Sequence, residues 1–167
     1  MANNTLNTTE LMTGKDGRLY VKVGSVNVML AEINTFSVVM NVNTTEKQPV
    51  GSILVHRIPT GVTFDLTFTE MVIRDDVIMK PLLDAIANGT IPTYNFQGSC
   101  DKPDGTTQTI SFNNAVPNGS FGLMTVTPGE VIEREQSFSL NSIPSFVSAL
   151  ASTYLTSGTK ASGQSGT

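Results

Sequence analysis

The residues able to carry chemistry are few and stand apart. His56 is the one histidine, in a strand-like run with no Cys, Asp or second His beside it. A metal site or a general base needs such partners, so His56 reads as a surface or packing residue. Cys100, the one cysteine, is followed by Asp101. It has no neighbouring base to make it a thiolate and reads as a small buried hydrophobe. Asp75 and Asp76 are adjacent carboxylates that could hold a cation or share a proton. At the head of a helical segment they answer exposed backbone N–H groups instead. Glu130, Glu133 and Glu135 surround Arg134, and Glu133 and Glu135 share one side of a strand-like stretch, where unassisted acids are ordinarily solvated. No phosphate-cradling glycine loop, nucleophile elbow or zinc spacing occurs. The pattern predicts no enzyme, no metal and no cofactor.

The composition agrees with a scaffold. The 167 residues suit one domain with a real core. Charged residues make up only 14%, well below the usual quarter or so, and Thr, Ser and Asn fill the gap. That mixture favours strands and turns over helices. A pI near 4.8 and scattered Lys and Arg argue against a protein that grips phosphates. No basic-then-apolar leader is visible, and no apolar run approaches the roughly 20 residues of a membrane span. A single cysteine makes no internal disulfide. The expectation is a soluble, cytoplasmically folded chain with no stable membrane association.

The elements that must position any site follow from periodicity. Strands are predicted over 17–23, 26–33 and 36–42, over 61–72 after the run 53–58, over 93–99 and 106–112, within 119–128, and over 130–143. The polar segment 43–52 between two strand runs predicts a long hairpin with a projecting tip. Residues 74–89 carry an apolar helical stripe, with Pro81 expected to kink or split it. Residues 142–155 predict a short C-terminal helix with Pro144 in its first turn. The organisation expected is an arm over 1–12, one β domain over 13–155, and a Gly/Ser/Thr-rich tail over 156–167.

One surface stands out. Along Gly61–Val72, Val62, Phe64, Leu66 and Phe68 face one way; Thr63, Asp65, Thr67 and Thr69 face the other. Ser37 and Asn41 on a second strand, and Glu133, Glu135, Ser137 and Ser139 on a third, have the same short, polar or acidic character. Val39 breaks the pattern, and a one-residue slip in register would exchange the faces. If these strands pair, they pave one face without a long cationic arm. The plain reading is a solvated sheet face. The sharper one is a surface along which something anionic passes without sticking.

Four stretches carry a resemblance: TGKDGRLYV, INTFSVVMNVNTTEKQPVG, TGVTFDLTFTEMVIRDDVIMKPLLDAI and QSFSLNSIPSFVSAL. Over roughly Thr13 to Ala149 the sequence resembles the tail tube proteins of contractile-tailed phages and phage-like particles, in the PBSX-prophage-type branch. The resemblance implies a β-barrel or sandwich with a flanking helix and a long projecting hairpin loop. It implies hexameric rings stacked into the hollow inner tube of a virion tail, built in the host cytoplasm. The polar residues above would then face a lumen. Thr44, Thr45, Glu46, Lys47, Gln48, Pro49, Val50 and Gly51 would contact the next ring. Implied partners are further copies of the chain, a tail sheath protein, baseplate and tail terminator proteins, and a tape measure protein and DNA transiently in the lumen. A contractile bacteriocin or secretion-type tube is an alternative within that architecture. A carbohydrate-type β-sandwich binding module is an alternative outside it, disfavoured because Trp is absent and most Phe point inward.

Overall fold

The structure, a computed structural model, describes residues 11, 14–23, 26–29, 33–71 and 75–148. A 3-10 turn, Gly14–Asp16, leads into β1 (Gly17–Val23) and β2 (Val26–Met29). Then come β3 (Ile33–Lys47), β4 (His56–Glu70), α1 (Met79–Ala87), β5 (Tyr94–Asp101), β6 (Thr107–Pro117), β7 (Arg134–Leu140) and β8 (Ser145–Ser148). All pairings are antiparallel, in the order β2-β1-β5-β6-β7-β4-β3, with β8 beside β6.

Alternation builds the core. Leu19 and Val21 of β1, Leu66 and Phe68 of β4, Phe96 of β5, Phe112 of β6 and Phe138 of β7 are buried together. Phe138 is the hub. Its ring lies 5.0 Å from Phe96 and stacks on Phe68 at 5.9 Å, with Tyr94 and Phe121 edge-on at 5.6 and 5.5 Å. The sheet curls so that Phe36, on end strand β3, lies over β1 and β5. A Cβ at Gly98 would stand 3.3 Å from the Phe36 ring and 3.2 Å from Phe112, so only glycine fits that crossing without movement. The end strands β2 and β3 are not paired with each other, so the sheet curls without closing. Among the described residues the fold is mainly β with one flanking helix.

The helix is shorter than its stripe. It begins at Met79, which puts Pro81 in the first turn, where a missing N–H costs nothing. The expected kink is therefore absent. Asp75 and Asp76 precede the first turn rather than cap it. The helix packs through Ile78, Met79 and Leu82, and Tyr94 Oη donates to the Ile78 carbonyl at 3.1 Å.

Three further expectations need correction. No strand forms over 119–128, a stretch opened by Gly119 and followed by Gly129, both at positive φ. The last long strand spans only Arg134–Leu140. Residues 145–148, expected to be helical, form β8 against Thr109–Ser111. β7 pairs only with Ala115–Pro117 of β6, which leaves the first half of β6 with unpaired backbone groups that β8 satisfies. The expectations for 1–10, 12–13, 24–25, 30–32, 72–74 and 149–167 lie outside the described residues.

Candidate functional site

Cross-strand register brings most of the predicted polar residues onto one face. Thr69 stands between Thr35 and Glu135, Thr67 between Ser37 and Ser137, Asp65 between Val39 and Ser139, and Thr63 opposite Asn41. Directly paired residues share a side of the sheet, so β3, β4 and β7 present three continuous rows and part of a fourth. Val39 belongs to this face, half exposed and opposite Asp65. It is a single apolar residue among polar ones, with no slip in register. Glu133 lies outside the rows, because β7 begins one residue later.

Asp65 is the centre of the face. Its Oδ2 accepts from Asn41 Nδ2 at 3.0 Å and its Oδ1 from Ser139 Oγ at 2.7 Å. Asn118, in the loop after β6, donates to Ser139 Oγ at 2.7 Å. Thr67 Oγ1 and Ser137 Oγ lie 3.5 Å apart. Each carboxylate oxygen takes a neutral donor, and no Lys or Arg stands in the rows. Such an arrangement fixes one negative charge among neutral donors on a face without a cationic side chain. Asn118 had no signal in the sequence, because a loop residue belongs to no strand alternation.

The second feature is the β3–β4 ribbon. β7 stops at Leu140, opposite Phe64, while β3 and β4 stay paired out to Lys47 and His56. Thr44, Thr45, Glu46 and Lys47 therefore lie in a strand, and Gln48, Pro49, Val50 and Gly51 in the tip. Glu46 Oε1 accepts from Arg57 Nε at 2.9 Å across the ribbon. Gln48 Nε2 donates to the Ser52 carbonyl at 2.7 Å, which shapes the tip. Met40, Val42 and Val62 continue the core face of the ribbon beyond the core and are half exposed or more; Val50 and Ile53 are fully exposed. Alternation reads Met40, Val42 and Val62 as inward; it does not say where the core ends.

The third feature was missed. Arg134 is buried on the core side of β7. Its Nη1 donates to Asp75 Oδ1 at 2.6 Å and its Nη2 to the Leu123 carbonyl at 2.7 Å. The available signal was a cation at an inward position, which demands an acid, and Asp75 supplies it. His56 is exposed on the ribbon and Cys100 is half-buried at the end of β5. Among the described residues no group of three or more His, Cys, Asp or Glu could hold a metal. No described helix is long and apolar enough to cross a membrane.

Chains from tube and terminator structures of phage tails and contractile injection systems are similar to this one in fold. A chain of the anti-feeding prophage tube-terminating cap matches with TM-score 0.61 at 15% identity, over 89% of this chain and 100% of that one. A chain of the sheath–tube complex of the extracellular contractile injection system PVC matches at 0.59 and 14%, over 83% and 93%. The SPP1 tail tube matches at 0.59 and 14%, over 84% and 81%. No family model matches the sequence, and no curated protein does. At these identities the likeness is one of fold.

Proposed function

We propose that this chain is a structural, non-catalytic tail tube subunit. Copies of it assemble into hexameric rings, and the rings stack into the hollow inner tube of a virion tail inside a contractile sheath. The face of Ser37, Asn41, Thr63, Asp65, Thr67, Thr69, Glu135, Ser137 and Ser139 lines the lumen through which DNA passes, with Glu133 at its margin. The ribbon from Thr44 to Gly51 contacts the neighbouring ring. Baseplate, terminator, sheath and tape measure proteins are the partners such a tube requires, and assembly takes place in the host cytoplasm.

The observation that carries this reading is the polar face itself. Paired rows of short hydroxyls and acids without one cation sit on a fold shared with tube structures. Ring formation would also give the open sheet ends, β2 and β3, the partners that a monomer lacks. The test is electron microscopy with size-exclusion chromatography over rising concentration, with and without a baseplate seed. Rings or hollow tubes are expected. A 17.8 kDa monomer under every condition, seeded or not, sinks the reading.

A further inference from the structure

From the exposed apolar tip, the acidic groove and their places in the sheet, we infer that the ribbon tip of one copy docks into the groove formed by residues 120–135 of another. The inference rests on the tube reading and names the receiving surface that the reading leaves open.

The tip requires a partner. Val50 and Ile53 are fully exposed, Leu54 is more than half exposed and Val55 nearly so. A two-stranded ribbon with no third strand is marginal in water by itself. Large apolar side chains gathered at one end of it mark an interaction surface.

The groove has matching chemistry. It has a volume of about 560 Å³ and is lined by Leu123, Met124, Val126 and Ile132 together with Glu133 and Glu135. Met124 is 85% exposed, so the loop offers its side chain outward. Asp75 and the Leu123 carbonyl, both held by Arg134, fix one wall. Over 118–135 there are three acids, Glu130, Glu133 and Glu135, and one base, Arg134, so the segment carries net negative charge. Over 43–59 there are Lys47, Arg57 and one acid, Glu46, which Arg57 already engages. Lys47 is left to face an acidic groove, so charge steers the approach and apolar contact holds it.

The two surfaces lie at opposite ends of the molecule. β4 begins at the tip with His56 and ends at Glu70, which pairs with Arg134 beside the groove. Fifteen residues of extended chain separate them, roughly 45 Å. A tip cannot reach its own groove, and a patch that fits a different patch at the far end joins copies head to tail. Such a heterologous contact propagates along the long direction of β4, the direction that ring-on-ring stacking requires.

The experiment uses the full chain with Cys100→Ser and two introduced cysteines, Ile53→Cys and Met124→Cys, assembled and then mildly oxidised. Tubes together with a ladder of covalent multimers, absent from either single-cysteine chain, are expected. Tubes without a ladder overturn the docking and leave the tube reading standing. Neither rings nor tubes from the seeded Cys100→Ser parent overturns the tube reading and this inference with it. A charge swap gives a second readout should the cysteine pair impair folding. Lys47→Glu and Glu133→Lys are each expected to slow assembly about tenfold, and their combination to restore it. Single variants that assemble at the parent rate would overturn the pairing.

Discussion

Arg134 occupies an inward position on a strand whose next inward residues are Gln136, Phe138 and Leu140, and its charge is tolerable there only because Asp75 and the Leu123 carbonyl meet it. Asp75 is largely solvated while Arg134 is not, so removing the acid strands the buried partner. Asp75→Ala is expected to lose about 2 kcal/mol, read from the urea midpoint. The exposed pair Lys80–Asp84 on α1, 3.4 Å apart, is the control: Lys80→Ala should change stability by less than about 0.5 kcal/mol. Tyr94 supplies a pH effect. Burial raises its phenol above the ordinary value of about 10, because desolvation disfavours the phenolate; the neutral hydroxyl donates to the Ile78 carbonyl. A raised value means the stabilisation is complete below the ordinary pKa and drains away as pH climbs through the folded one. Alkaline unfolding should therefore shift to higher pH in Tyr94→Phe, while that variant loses about 1 kcal/mol at neutral pH with its hydrogen bond. An unchanged alkaline midpoint would assign the transition to another group.

At the scale of elements, glycines separate crossings from edges. Gly98→Ala must push the Phe36 and Phe112 rings and is expected to cost about 1–2 kcal/mol, whereas Gly61→Ala meets nothing within 4 Å. Urea denaturation of the two variants checks both, Gly61→Ala being at worst neutral. The ribbon is separable from the core in the same sense. Deleting 49–54 should leave the thermal midpoint within a few degrees, because no residue from 39 to 63 is buried, and should abolish assembly. Loss of the fold on that deletion would show that the ribbon belongs to the core. These elements were legible in unequal measure, for a physical reason. Strands β3, β4 and β7 alternate with Val39 as the exception on the polar face, so their shared face could be read from Ser37, Thr67 and Ser137. Alternation is local; where the core stops is not, and Met40 and Val62 were read as inward on that account. β8 was hidden more deeply. Phe146 and Val147 fit a helical stripe, and only the unpaired half of β6 draws them into a strand. The Asp75–Arg134 pair spans 59 residues of sequence, a separation that no periodicity encodes.

On the proposed tube reading, the decisive property of the whole molecule is the sign of charge that the assembled face would offer to a polyanionic cargo. A polyanion passes a channel freely when the wall holds no cation, because each phosphate contact made on the way is one to be broken. Asp65 is the residue at which to reverse that condition. It is central to the rows and held by side chains that leave room for a longer group toward the open side. Asp65→Lys forfeits the bonds from Asn41 and Ser139, a cost of about 1–3 kcal/mol. The backbone pairing of β4 with β3 and β7 does not depend on it. Tubes of this variant would carry a cation from every subunit on the inner wall. They are expected to retain double-stranded DNA that is protected from nuclease, with retention falling steeply as salt rises, while parent tubes retain none. Asp84→Lys, on the exposed side of α1, controls for the exterior: DNA bound there should be digested. Nuclease-sensitive binding in both variants would put Asp65 on the outside of the tube and exchange the assignment of the two faces. Protection confined to Asp65→Lys would fix the polar rows to the lumen. It would also fit a division of labour in which the exposed apolar ribbon makes the contact between copies and the polar face makes none with the cargo.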